Sequence, residues 1–490
     1  MPLPPYQPDV ASVDAASSGL ALNVVPRADG YGPVRAPVPL SGPLPDACRG
    51  FVAVASPRFG FISYFAGTRT RLYRYNTTTT GWDDVSGPRS GGVPDGDSWQ
   101  FALFGAKLVA VHLGLTPQVM DIERDRTFRD LGGGPPRARA VGTVGGFLVL
   151  AGLGGAPNAV RWSDLENPEF WDQGLRTDGH QADGQVFPEG GAVTGFAGGE
   201  FGVVFQERAI RRLTYSPGSP TVFDTSVVEE NRGAVAPWAI VKVGPSAFFA
   251  DRDGFYQFAG GVSKPIGAER VNRTFLEAVD PSRHPSTIAV RDVLGPRVIF
   301  CYRTKAADPA LPALLDAALV YDWQLDRWSA LAIAVQAGMA TATPPVSLDA
   351  PGSDGVDNTA LSFDDPSFAG GIPALGFVTA DNRLALLTGA PLEASLATAD
   401  AMLARPNRAF ARGVRLDADA DDWRVAVGAR ETLRQADPVA YRPETAPTVE
   451  RFAPCRVSGR YHRIRVRIPA GTPWSYATAV EVDATAEGRR

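Results

Sequence analysis

Ala247-Phe248-Phe249-Ala250-Asp251-Arg252-Asp253-Gly254-Phe255-Tyr256-Gln257-Phe258, AFFADRDGFYQF, is the stretch on which the fold turns. Two strand-like runs, FFA and FYQF, flank Asp-Arg-Asp-Gly, and Asp and Gly are the residues a tight hairpin turn demands. Asp251 and Asp253 also form a carboxylate pair of the kind glycoside hydrolysis uses. The hairpin accounts for both without any chemistry.

The same pattern, an apolar strand and a Gly/Asp-containing turn leading into a second strand with aromatic residues, recurs along the chain. Its members are Phe61 to Phe65 with Arg71 to Tyr75, Lys107 to His112 with Gln118 to Asp121, and Phe147 to Leu150 with Ala159 to Trp162. Phe201 to Phe205 with Ala209 to Tyr215, the opening pair, Val298 to Tyr302 with Ala318 to Trp323, and Leu375 to Ala380 with Leu384 to Leu387 follow. The first strands start roughly 40 to 55 residues apart, with one longer gap near the end, which is the period of propeller blades. One small four-stranded sheet cannot bury both its faces, whereas a ring of them buries each face against a neighbour. The expectation is an all-β chain with a β-propeller-like body of six or seven blades over residues 51–395; a β-sandwich with a meandering sheet is the alternative.

Ten prolines fall within residues 1–50 without an amphipathic period, so this segment reads as an extended N-terminal arm lying on something else. Residues 396–490 read as a separate C-terminal β-sandwich-like platform domain. Its strand candidates are Val414 to Leu416, Trp423 to Val427, Tyr461 to Ile468 and Ala479 to Val482. The alanine- and arginine-rich run from Glu393 to Arg412 suits a short helix on propensity.

With 490 residues, 44% of them hydrophobic, the chain can bury a large core, and its 52 glycines and 42 prolines are spread as frequent turns. Positive charge is almost all arginine, Lys107, Lys242, Lys264 and Lys305 being the lysines, and the formal net charge is −5. A protein that held nucleic acid electrostatically would show a basic excess. Cys48, Cys301 and Cys455 are far apart and odd in number, so neither a disulfide framework nor a CxxC metal knuckle is expected. MPLPPYQPDV does not read as a secretory signal, and no apolar run approaches the ~18 residues of a membrane span, so folding in a reducing cytosol without membrane insertion is expected.

His112, His180, His284 and His462 stand apart from one another and outside any HExxH pattern. Asp417, Asp419 and Asp421 occupy the first, third and fifth places of a calcium-type loop, but Asp422 stands where glycine is needed and Gly428 where the closing glutamate is needed. No GxxxxGK[ST] loop is present, and Gly152-Leu153-Gly154-Gly155 lacks the remainder of a dinucleotide fingerprint. No catalytic, cofactor-binding or metal-ligating residue is assigned, and the chain reads as a structural or binding protein rather than an enzyme. Arginine and aromatic residues on strand edges and turns are the types enriched in assembly interfaces.

The order of several segments resembles the tail nozzle or hub proteins of short-tailed bacteriophages, the packaged-DNA stabilisation family. Asn23-Val24-Val25-Pro26 followed by Gly30-Tyr31-Gly32-Pro33-Val34-Arg35 is similar to the family's opening. Gly145 to Leu150 followed by Arg161-Trp162-Ser163-Asp164-Leu165-Glu166-Asn167-Pro168 is similar to its blade with a (Trp/Phe)-x-Asp-Leu-Glu turn. Gly202 to Phe205, Ile210 to Tyr215, Gly233 to Ala236, Ala247 to Tyr256, and Leu319-Val320-Tyr321-Asp322 with Trp328 continue in the same order, so the resemblance spans nearly the whole chain. It implies a virion structural protein, made in the host cytoplasm, whose copies form a homo-oligomeric ring, a hexamer, below the portal adaptor. Such a ring extends the DNA exit channel, retains the packaged genome and docks tail fibres or spikes, and double-stranded DNA passes through it during ejection. The mildly acidic total suits a channel that must not grip DNA, since each neutralised phosphate adds affinity. The alternatives are a receptor- or glycan-binding propeller of a tail fibre or spike, against which the missing Ser-x-Asp-x-Gly-x-Thr-Trp boxes weigh, and a monomeric scaffold propeller.

In Gly459 to Pro469, GRYHRIRVRIP, Ile464, Val466 and Ile468 alternate with Arg463, Arg465 and Arg467, the pattern of a half-buried strand. From Arg451 to Val480 there are six arginines and no Asp or Glu. Three uses of the stripe stay open: solvation, DNA contact, or a candidate assembly interface in which Arg463, Arg465 and Arg467 pair with carboxylates of an adjacent subunit. On the last reading charge reversal should impair assembly without unfolding the monomer. Deleting residues 2–40 should likewise leave folding intact and abolish assembly.

Overall fold

The computed structural model describes residues 1–10, 17–88, 91–94, 96–173, 179–219, 221–344, 371–405, 407–433 and 439–488. In it AFFADRDGFYQF forms the antiparallel strands Ser246–Asp251 and Gly254–Ala259, with Asp251 opposite Gly254 across a two-residue turn. Gly254 has φ +134, a conformation L side chains rarely adopt, and a Cβ there would lie 2.0 Å from Asn272 Nδ2. Successive side chains of a strand point to opposite faces, and this hairpin is apolar on both. Phe248, Ala250 and Phe255 pack with Phe300, Leu319 and Trp328, whereas Phe249, Tyr256 and Phe258 pack with Val203, Phe205 and Ile210.

Each side is therefore covered by a different sheet, and the rule holds around the molecule. Five separate four-stranded antiparallel sheets start at Phe51–Ala55, Gln100–Phe104, Ala138–Val144, Val193–Ala197 and Val241–Val243. A sixth blade runs Ile288–Arg291, Arg297–Tyr302, Leu315–Asp322 and the first part of Arg327–Ala342. That last strand, 16 residues long, continues past a register shift near Val335 to become the innermost strand of a seventh blade with Pro373–Thr379 and Arg383–Leu386. The fourth strand of blade seven is Val38–Pro43, from the N-terminal segment. Seven apolar clusters fill the seven gaps between neighbouring blades among the described residues. The closing one joins Val378 and Leu384 of blade seven to Tyr64, Ala66 and Tyr73 of blade one. The body is a seven-bladed propeller.

The recurrent strand pairs of the sequence are the second and third strands of each blade. These are covered on both sides, as Phe147–Leu153 shows with all seven residues buried.

The remaining strands make a β-sandwich. Beyond blade six its sheet continues through Ala21–Leu22, Ala394–Ala397, Tyr461–Ile468, Arg424–Arg430 and Ala440–Tyr441, while Val24–Arg27, Gly30–Pro33, Ala477–Ala486, Ala409–Ala418 and Ala453–Gly459 form the facing sheet. One apolar cluster runs from Trp423, Val425, Ile464 and Val480 between these sheets to Phe255, Phe300 and Trp328 of the propeller, so the two bodies share a core.

Two expectations change. Residues 1–50 are not a detachable arm: they supply strands to both bodies, and Leu3, Tyr6, Val24, Tyr31 and Leu44 are buried. Asp9 also accepts hydrogen bonds from Arg273 N at 2.8 Å and Thr274 N at 2.9 Å, capping the helix Asn272–Ala278. The prolines fit because Val38–Pro43 is an edge strand, where a missing N–H leaves no ladder bond unmade. The run from Glu393 to Arg412, described except at residue 406, contains strand rather than helix: Ala394–Ala397 fills the place between Ala21–Leu22 and Tyr461–Ile468. Pairing on both sides overrides helix propensity there.

Candidate functional site

Arginines gather in two places, and their surroundings differ. On the outer face of the sandwich, Tyr461–Ile468 turns Ile464, Val466 and Ile468 into the core and Arg463, Arg465 and Arg467 outward. All three meet carboxylates of their own chain. Arg463 Nη2 lies 2.6 Å from Asp400 Oδ2, and the fully buried Asp400 side chain also accepts from Arg430. Arg467 Nη2 and Nε donate to Glu444 at 2.6 and 3.0 Å, and its Nη1 reaches Glu393 at 3.1 Å. The Arg467 hydrogen bond holds the Glu444 carboxyl below the usual carboxylate range. Arg465 sits over the Tyr441 ring, 4.7 Å from its centroid, with Glu444 at 3.9 Å.

The geometry therefore brings the three predicted residues together on one face and gives them intramolecular partners. Carboxylates of the same chain, Asp400, Glu444 and Glu393, face them. No alternation within the strand could reveal those partners, which lie 21 to 74 residues away.

The second gathering was not read from the sequence. Innermost strands of all blades run in the same direction, so the residues just ahead of them meet on one end of the propeller, around its axis. A cavity of about 400 Å³ lies there, lined from blades one, two, five, six and seven. Arg49 precedes the first strand of blade one, Arg69 follows its second, and Arg283 precedes blade six. Arg303 also lines the cavity, but its guanidinium is held by the carbonyls of Leu311, Leu314 and Asp308 at 2.7, 3.0 and 2.7 Å. Arg49, Arg69 and Arg283, by contrast, have no side-chain hydrogen bond or carboxylate partner among the described residues.

Across from them stands Asp97, 7% exposed, whose Oδ1 accepts from Ser98 N at 3.1 Å and lies 4.0 Å from Arg139 Nε. Its Oδ2 is buried, and burial raises its pKa despite Arg139 and the backbone hydrogen bonds from Ser98 and Leu113. Cys48 in the same wall is no nucleophile, because burial pushes its thiol up to about 12. The arrangement can bind anionic groups through arginine forks.

The acidic groups tested in the sequence are occupied by structure. Asp253 accepts from Tyr256 Oη at 2.7 Å and faces Arg232, while Asp419 accepts from Ser475 N at 2.8 Å and Tyr476 N at 3.1 Å. Among the described residues no group of three His, Cys, Asp or Glu side chains is placed to hold a metal ion, and no helix is long and apolar enough to cross a membrane.

No protein-family model and no curated protein matches the chain. Among solved structures it is similar to U3-55K, at 10% identity over 63% of this chain and 89% of that one with a TM-score of 0.39. It is also similar to the RRP9 WD40 repeats (10% identity, 63% and 88% covered, TM-score 0.39) and to a chain of the mitotic checkpoint complex (9%, 74% and 96%, TM-score 0.38). The blade count and ring closure stand on the strand pairing and the seven inter-blade clusters described above.

Proposed function

We propose that this chain is a structural virion protein of a short-tailed bacteriophage, a nozzle subunit that forms a ring below the portal adaptor. On this reading it extends the DNA exit channel, retains packaged DNA and docks fibres or spikes. The observation that supports it is where the family-like segments fall. Arg161 to Pro168 runs from the third strand of blade three into the following turn, Ile210 to Tyr215 lies in the third strand of blade four, and Leu319 to Asp322 with Trp328 forms a strand pair in blade six.

The opening motif has a mechanical role consistent with a load-bearing part. Asn23, at φ 59, donates from Nδ2 to Glu393 O at 2.8 Å and accepts at Oδ1 from Ala332 N at 2.9 Å, fastening blade six to the sandwich. Asn tolerates that left-handed conformation better than most residues. The hairpin Val24–Arg27 and Gly30–Pro33 follows it into the facing sheet. A ring with two different complementary faces per subunit needs a stiff body that presents both, and the shared core of propeller and sandwich is such a body.

The test is the mass and negative-stain image of the purified protein, alone and with a portal-adaptor ring. Annular particles on the adaptor are expected. A strictly monomeric protein that binds oligosaccharide and never joins a ring would overturn the nozzle reading in favour of a glycan-binding propeller.

A further inference from the structure

We propose that the axial cavity of the propeller is a docking site for an acidic peptide segment of a partner protein, received by Arg49, Arg69 and Arg283. The inference does not depend on the virion reading.

It starts from a charge that the fold leaves uncompensated. On the sandwich every arginine of the stripe is matched by a carboxylate. In the cavity wall three arginines of blades one and six have no such ion pair, and the carboxylate among the lining residues, Asp97, is already beside Arg139. Arginine forks bind carboxylates and phosphates in bidentate fashion, with charge-assisted bonds roughly twice as strong as neutral ones.

Size and the remaining lining select among anions. A volume of about 400 Å³ lies in the range of pockets for small ligands or a short stretch of chain, far too small to admit duplex DNA. One wall is apolar, with Trp238, Ile288 and Leu315. An acidic peptide carries both counterparts: carboxylates for the arginines and aliphatic side chains for the apolar wall. Inorganic phosphate has no apolar part. Single-stranded nucleic acid relies on stacking along successive aromatic rings, and here Trp238 stands alone.

The experiment is fluorescence anisotropy of the full-length protein with a dye-labelled octapeptide of alternating glutamate and leucine. Controls are the same peptide with lysine in place of glutamate, a sialylated oligosaccharide and inorganic phosphate. Saturable binding of the glutamate peptide alone is expected, weakened when salt is raised from about 0.05 M to about 0.5 M. Arg49→Ala/Arg283→Ala should reduce affinity at least about tenfold, the loss of one charge-assisted bond; Arg69→Ala, at an exposed position, is a second variant with less reach into the fold. Arg467→Ala on the sandwich should leave binding unchanged. Absence of saturable peptide binding, or binding that survives both funnel variants with their unfolding transitions intact, would overturn the proposal. Binding of the oligosaccharide or of phosphate in place of the peptide would overturn the assignment to a peptide.

Discussion

The two arginine clusters use one residue type for opposite ends. In the sandwich stripe the guanidinium groups are spent inside the chain, strapping Glu444, Glu393 and Asp400 onto the sheet. In the propeller funnel Arg49, Arg69 and Arg283 face a cavity instead. The first cluster is part of the fold's own stability; the second is held in place by a ring that would close without it. An arginine's surroundings, and not its exposure alone, separate a structural role from a recognition role.

The sharpest way to break this comparison removes what both clusters stand on. Deleting residues 2–40 takes away strands of both sandwich sheets and half of Val38–Pro43, so the expected result is loss of the cooperative unfolding transition, read by circular dichroism. A folded truncated monomer would restore the detachable-arm reading. Next in size is Arg463→Glu. It places a second carboxylate beside the fully buried Asp400 and removes one of its two guanidinium partners, at a cost of about 3–5 kcal/mol in urea unfolding. Charge reversal of the stripe is therefore expected to unfold the monomer, and a reversed variant of native stability would return the stripe to the solvent or to an interface.

A pH titration probes the buried histidines. His112 is fully buried behind the funnel against Trp99, 4.3 Å between ring centroids, and its Nδ1 accepts from Gly114 N at 2.9 Å. Burial first, and Arg137 second, bring its pKa down from 6.5 to about 4. The unfolded chain takes up this proton first, so stability is lost as pH falls from about 6.5 to about 4 and levels off below. The His112 share is about 3 kcal/mol, and His112→Asn should remove that share in an unfolding series across pH, leaving the losses from His284 and from His462 on the stripe strand, which burial also shifts down. Smaller still, a double-mutant cycle on Arg467 and Glu444 should return about 0.2–1 kcal/mol, since both are partly exposed. Smallest of all, Arg49→Ala and Arg283→Ala should change stability by no more than about 0.5 kcal/mol. A large loss there would mean that the funnel arginines hold the ring together.

What could be read from the sequence follows from where each residue's constraint comes from. The central strands of the blades are legible because both their faces are buried, as in Phe147–Leu153, and local apolar pattern carries the whole message. Outer strands such as Trp82–Asp84, half-buried or exposed, carry almost none. Val38–Pro43 was hidden by its prolines, which an edge strand tolerates and a central one does not. The alternation of Ile464 to Arg467 revealed a half-buried strand but could not name Asp400 or Glu444, which arrive by pairing across the sheet. The funnel was wholly illegible: Arg49, Arg69 and Arg283 share no spacing, and come to line one cavity only when blade seven closes the ring between blades six and one. The usable signal is their position at blade strand ends, and it appears once the blade register is known.

The seventh blade sets an order of events in the making of the molecule. Leu384 N donates to Ser41 Oγ across 343 residues, so the propeller strand made first has to wait, unpaired, for the one made last. Closing a loop of that length costs about 5 kcal/mol of chain entropy by ideal-chain scaling, offset only when the whole ring is present to be zipped. Blades one to six can stack as they leave the ribosome, but the funnel, whose wall includes Gln336 and whose ring depends on that last zip, comes into being at a single late step. A stalled or shortened chain would own most of the propeller and an unclosed mouth.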